Sequence, residues 1–225
     1  MTNLDILYHT IHNVNRESKL MSARDALERE WEMARPREFD EVTALEAAME
    51  CFWQRGYEAT SVRDLADKMG ISAPSLYNAY GDKYALYTRA LEHYLDQSAR
   101  VLMKQFEESL PPKEAVRRFI EEIIKHSVSD PKRRGCFLIN SALEVAPHDR
   151  ELRAFVADRF AEIEAFFYRS IKKAQVEGAV PRNRAARDLA RLLLGVLLGI
   201  RILARSKPER ALLEGVARPA LALLD

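Results

Sequence analysis

Between Ser61 and Tyr80 the chain packs two helix starts and one helix stop into a stretch too short for anything but two brief, tightly joined helices. Ser61 stands three residues before Asp64, the spacing at which a hydroxyl and a carboxylate close the first helical turn on each other. Val62, Leu65, Ala66 and Met69 then recur on one face, and Gly70 ends the run. Ile71 fills the turn, Ser72 caps a second helix, Pro74 sits where a missing N–H costs nothing, and Leu76, Tyr77 and Tyr80 carry that helix to Gly81. Upstream, Asp40 is a cap. Val42, Leu45, Met49, Phe52 and Trp53 predict the buried stripe of a longer helix ending at Gly56.

The rest of the chain reads as helix throughout. Tyr84, Leu86, Tyr87, Leu91, Tyr94, Leu95, Val101, Leu102 and Phe106 predict one long fourth helix, closed by Pro111-Pro112. Further helices are expected at about 112–128, 134–146, 148–178, 183–205 and 208–224, with breaks at Asp130-Pro131, Pro147, Gly178 to Pro181 and Lys207-Pro208. Eight glycines and few β-branched runs favour helix over strand, so the expected fold is all-α. Three divisions follow: a polar appendage at 1–32, a compact unit at 33–82, and a helical body at 83–225. A second reading has translation starting at Met33. The longest apolar stretch, Leu192 to Ile200, is well short of the roughly 20 residues of a spanning helix, so no membrane partner is expected. Cys51 and Cys136 lie far apart behind no secretory-type leader, which fits the reducing cytoplasm. A formal net charge of +1 neither demands nor excludes a polyanionic partner.

Two short helices joined by a glycine turn and braced by a third are what presents a recognition helix to the major groove. Here the sequence resembles a known family. Residues 37–95 are similar to the TetR/AcrR regulators in Phe52 to Tyr57, Thr60 to Ala66, Gly70-Ile71-Ser72, Leu76-Tyr77 and Tyr80 through Lys83. The resemblance implies an N-terminal three-helix helix-turn-helix DNA-binding domain followed by a C-terminal helical ligand-binding and dimerisation domain. It implies a repressor that binds a palindromic double-stranded DNA operator as a homodimer, released by a small-molecule effector. Carried over residue by residue, it implies that Ser61 and Arg63 open the second helix toward the duplex. Ser72, Ala73, Ser75 and Asn78 would line the groove face of the third, while Tyr77 and Lys83 hold phosphates. Two of these have plainer readings, Tyr77 as a core tyrosine and Arg63 as the partner of Asp67 one turn on. The acids Glu46, Glu50, Glu58, Asp64 and Asp67 outnumber nearby bases, a thin footprint for nucleic-acid binding. Arg35 and Arg37 are expected to compensate as a minor-groove arm.

In the body, the resemblance implies an effector pocket, and Tyr94, Phe119, Cys136, Phe137, Asn140 and Phe167 are its candidate residues. Cys136 follows Lys132-Arg133-Arg134-Gly135 at a helix start, where cations and the helix dipole favour a thiolate, so it is either an oxidant or electrophile sensor or a small buried hydrophobe. Glu144 shares a helix face with Asn140 and is expected to face solvent. Leu192, Val196, Gly199, Leu213 and Val216 belong to two late helices with more apolar surface than one core needs, predicting a two-fold interface. No metal pair, phosphate-cradling glycine loop or glycine-flanked nucleophile appears, so neither a cofactor nor an enzyme is expected. The competing reading is a helical ligand-binding or adaptor protein that no longer binds an operator.

Overall fold

The computed structural model describes residues 40–225. The appendage at 1–32, the alternative start at Met33 and the arm residues Arg35 and Arg37 lie outside the described residues. Those that are described contain helices and no strand: α1 (Glu41–Arg55), α2 (Val62–Met69), α3 (Ala73–Tyr80), α4 (Lys83–Asp96), α5 (Ala99–Ser109), α6 (Pro112–Ser129), α7 (Phe137–Glu144), α8 (Arg150–Val176), α9 (Ala186–Ser206) and α10 (Arg210–Ala222).

The first helix packs against α2 and α4 through Ala44, Ala48, Cys51 and Phe52, not through the stripe that begins at Val42, which is 55% exposed. Alanine at the contact lets two helix backbones approach closely, and only Phe52 of the larger expected residues reaches the core. Buried Leu65, Ala66 and Met69 of α2 and Leu76 and Tyr80 of α3 complete this packing, as their spacing predicts.

A single long fourth helix does not form. The chain breaks at Gln97-Ser98, dividing α4 from α5. The Ser98 hydroxyl donates to the Tyr94 carbonyl at 2.5 Å, taking an acceptor that the continuing helix would use, and Ser98 leaves helical geometry. Apolar periodicity runs straight through the break, so it carries no sign of it. Across the kink Arg100 bonds Glu92, Asp96 and Glu162, and Arg159 bonds Glu92 and Glu162, stapling α4 and α5 to α8.

The body is built on α6, α8, α9 and α10, which pack on one another. Phe119, Phe166 and Phe167 meet at ring separations of 5.1 to 5.7 Å at its centre, all fully buried. Burying each such ring contributes about 1.5–3 kcal/mol. A second aromatic cluster joins α1, α4 and α7: Tyr87 meets Phe52 at 5.0 Å and Phe137 at 5.4 Å, both edge-on, and its hydroxyl lies 2.7 Å from the Ser141 hydroxyl.

Candidate nucleic-acid interface and effector cavity

The second helix is closed at its start as the sequence predicts. Ser61 accepts from the Asp64 backbone N–H at 3.1 Å, while Asp64 accepts from the Ser61 backbone N–H at 3.0 Å. Arg55 reaches the same carboxylate at 2.9 Å. These donors, the Ser61 hydroxyl first, hold the Asp64 carboxyl down at about 2. A carboxyl depressed on folding supports the fold above its unfolded value of 3.8 and loses that support as pH falls toward 2. Thermal melts between pH 5 and 2 are therefore expected to show a falling midpoint, with a shallower fall in Asp64→Asn.

Gly70 adopts φ +68°, a left-handed geometry that a Cβ would strain, and turns the chain into α3. There the Ser72 hydroxyl accepts from the Ser75 N–H at 3.2 Å. Both serine hydroxyls at the helix starts thus serve as caps, and the Ser75 hydroxyl lies 2.8 Å from that of Ser72. Leu76 and Tyr80 point inward at 0% and 4% exposure, and Tyr77 and Asn78 point outward, Tyr77 at 48%. The core reading of Tyr77 is therefore excluded. Arg63 is 92% exposed at the side chain and stands 3.9 Å from Asp67, an exposed pair worth at most about 1 kcal/mol that leaves the guanidinium accessible. The Lys83 ammonium lies 4.2 Å from the centre of the Tyr57 ring, at the start of α4. Arg63, Tyr77, Asn78 and Lys83 thus remain presented to solvent or half-buried beside one capped helix.

Two of the five acids that thin this region's charge, Glu46 and Glu50, are engaged from residues 83–225. Lys132 and Arg134 both bind Glu50, and Gln97 and His93 approach Glu46. Those contacts join residues more than forty positions apart, and no local pattern foretells them. They also draw two of the three cations preceding Cys136 away to carboxylates, Arg134 taking Asp130 as well.

Glu144 is half-buried rather than free in solvent. It accepts from the Glu58 N–H at 3.1 Å and lies so close to Gly56 that a Cβ there would stand 2.7 Å from its carboxylate oxygens. Gly56 is favoured by its backbone at φ +85°, and a side chain there would also push the end of Glu144 aside. The carboxylate fastens the end of α7 to the turn that leads into the helix-turn-helix.

A cavity of about 490 Å3 lies between α1, the α4–α5 kink, α6, the 130–136 loop and α9. Three of the six candidates line it, namely Tyr94, Phe119 and Cys136. The other three do not. Phe137 is 1% exposed within the aromatic joint, Phe167 is sealed in the body core, and Asn140 donates to the Arg134 carbonyl while accepting from Arg205. Spacing marks a residue as buried without telling core from cavity wall. Trp53 and Arg201, which also line it, gave no sequence signal because their partners come from other helices. Cys136 precedes α7 with no side-chain cap bond.

On the late helices, Leu213 is fully buried inside the subunit and drops out of any interface, because α10 turns that face to α9 and α6. Leu192 is 42% exposed, Gly199 is half-buried, and Val196 and Val216 are half-buried with part of each side chain against the subunit's own core. Among the described residues no helix is long and apolar enough to cross a membrane.

Comparison with known proteins agrees with this architecture. Residues 44–90 match the model of bacterial regulatory proteins of the tetR family, and residues 112–218 match a tetracyclin repressor-like C-terminal domain. The chain is 33% identical over 195 residues to the uncharacterized HTH-type transcriptional regulator YezE of Bacillus subtilis, covering 86% of this chain and all of YezE. It is 30% identical over 190 residues to the HTH-type transcriptional repressor ComR of Escherichia coli, covering 84% and 90%. Among solved structures it superimposes on a cysteine mutant of the regulator CifR complexed with 26-bp double-strand operator DNA. There the TM-score is 0.76 and the identity 31%, with 85% of this chain and all of that one covered. A regulator from Cytophaga hutchinsonii, 18% identical with a TM-score of 0.71 over 81% and 91%, shares the fold.

Proposed function

Because the chain belongs to the TetR family of bacterial transcriptional regulators, we propose that it is a cytoplasmic, non-enzymatic repressor that binds a palindromic operator as a homodimer. Residues 33–82 supply the DNA-binding head and residues 83–225 the effector-binding and dimerisation body. The observation that carries this reading is α3 itself: Leu76 and Tyr80 anchor it inward, and Tyr77 and Asn78 stand outward beside exposed Arg63. Such a helix offers base-edge and phosphate contacts at once. Two copies place their helices about 34 Å apart on one face of the duplex. The outward faces of α9 and α10, with Leu192, Val196, Gly199 and Val216, supply the two-fold contact, and Arg35 and Arg37 add a minor-groove arm.

Release follows from where the cavity lies. Met49 and Trp53 of α1 and Tyr94 of α4 share its wall, so an occupant bears directly on the helices that position α2 and α3. A ligand that prefers the released head geometry by about 3 kcal/mol weakens operator binding roughly 150-fold by linkage. The Cys136 thiol on the same wall is where an oxidant or electrophile would act, and Cys136→Ser is expected to abolish release by such reagents alone.

Selection from a random DNA pool, followed by binding to the recovered sequence at graded salt, tests the reading. Palindromic enrichment is expected. Asn78→Ala should cost about 1–3 kcal/mol and relax preference at one position, and Arg63→Ala should reduce the salt slope by about 0.9. Recovery of no palindrome, or binding unchanged by both substitutions, overturns it in favour of a helical ligand-binding protein without operator recognition.

A further inference from the structure

The cavity's polar lining is largely engaged within the fold, with the Trp53 indole and the Arg201 guanidinium as exceptions. The Trp53 indole N–H is buried and has no hydrogen-bond partner among the described residues. An indole nitrogen can only donate, so its complement is an acceptor brought from outside. Arg201 enters the cavity from α9 and bonds only the Ser127 hydroxyl, at 3.2 Å, with no carboxylate at ion-pair distance among the described residues. A guanidinium likewise offers donors and no acceptor. The Tyr94 ring meets Trp53 edge-on at 4.9 Å, and its hydroxyl, in the field of Arg201, is engaged by the Cys136 thiol and the Phe137 N–H. Burial raises the Tyr94 hydroxyl well above its ordinary value, so it too carries its proton at neutral pH.

The acids nearby are already taken. Asp130 is bound by Arg134 through its side chain and backbone, and that same guanidinium lies over the Trp53 ring at 4.0 Å. The apolar part of the wall is formed by Leu102, Phe119, Ile123, Ile163 and Leu197. A lining that combines two cations without carboxylate partners among the described residues, Arg201 and the more exposed Arg133, with an orphan donor and hydrocarbon is complementary to a small amphiphile with an anionic head.

We propose that the effector class of this protein is a small organic carboxylate, its head received by Arg201 and the Trp53 N–H, its hydrocarbon body against Phe119, Leu102 and Ile163. This deepens the regulator reading above and rests on it for the word effector, although binding itself requires no DNA. Charge-assisted bonds at a half-buried guanidinium distinguish a carboxylate from its neutral amide by roughly tenfold to a hundredfold.

The chain has two tryptophans, so a Trp31→Phe background leaves Trp53 as the sole indole reporter. Phenylacetate, 3-phenylpropionate and octanoate, each beside its amide, are titrated against the full chain while Trp53 emission is followed. At least one carboxylate is expected to saturate and to bind at least tenfold tighter than its amide. Arg201→Gln should erase that difference, and Arg201→Lys should restore part of it. Circular dichroism and thermal melts show that each variant is folded, and calorimetry on Trp53→Phe, which deletes the N–H together with the five-membered ring, should show weaker carboxylate binding but an equal loss for carboxylate and amide if only the ring matters. Equal affinity for carboxylate and amide across the three pairs overturns the proposal, as does a preference that survives in folded Arg201→Gln. Operator binding is measured in parallel. Its absence overturns the regulator reading while the carboxylate comparison still decides the cavity.

Discussion

Tyr87→Ala lowers the unfolding free energy by about 3–5 kcal/mol, the range for deleting a fully buried aromatic ring, and removes operator binding at temperatures where the parent still binds. Tyr87 is 1% exposed and lies where α1, α4 and α7 share a core. Its ring has Phe52, Tyr57 and Phe137 as neighbours within 5.4 Å, so the cavity left behind is walled by rigid rings that cannot collapse into it. Tyr87→Phe separates the two parts of this effect. It keeps the ring and deletes only the bond to Ser141, whose hydroxyl still donates to the Phe137 carbonyl, so about 1 kcal/mol is expected. Denaturant melts of both variants provide the measurement. Equal losses in the two would show that the ring packing is not what holds the joint.

Gly199→Glu is expected to do the opposite, weakening function without weakening the subunit. A Cβ at Gly199 meets nothing within 4 Å, and the position is helical, where any ordinary residue improves on glycine by up to about 1 kcal/mol. On the outward face, however, the added carboxylate meets its own copy across the proposed two-fold contact, buried and unpaired. Light scattering should then report a monomer. Operator affinity should fall by about 10²–10⁴, the advantage lost when two linked heads become independent. A Gly199→Glu protein that remains dimeric would place the interface elsewhere on the molecule.

Much of the recognition element was legible because its determinants are local. The Ser61–Asp64 capping pair, the Gly70 stop and the Ser72 cap act within four residues of one another, and each appears in the structure where its spacing placed it. The inward face of α3 was equally readable from Leu76 and Tyr80. The phase of α1 was not, since Val42 and Ala44 both fit a helical stripe and only the closeness of α4 selects alanine. Leu213 misled for the same reason: an apolar residue on a late helix can face its own core or a partner, and here the core takes it. The break at Ser98 was hidden because a hydroxyl that bonds its own backbone leaves hydrophobic spacing intact.

By itself, then, the chain's order of residues determined that it would be helical, where the short helices begin and stop, and which family it belongs to, since backbone capping and burial periodicity are short-range effects. Only the assembled fold decided which carboxylates near α2 keep their charge to themselves, as with Glu50 held by Lys132 and Arg134 from more than eighty residues away. It also decided that Glu144 would fasten a distant turn, and that Trp53, Tyr94 and Arg201 would share one cavity. Contacts of that separation form when whole helices pack, so their energies depend on relative helix placement, which no window of sequence contains.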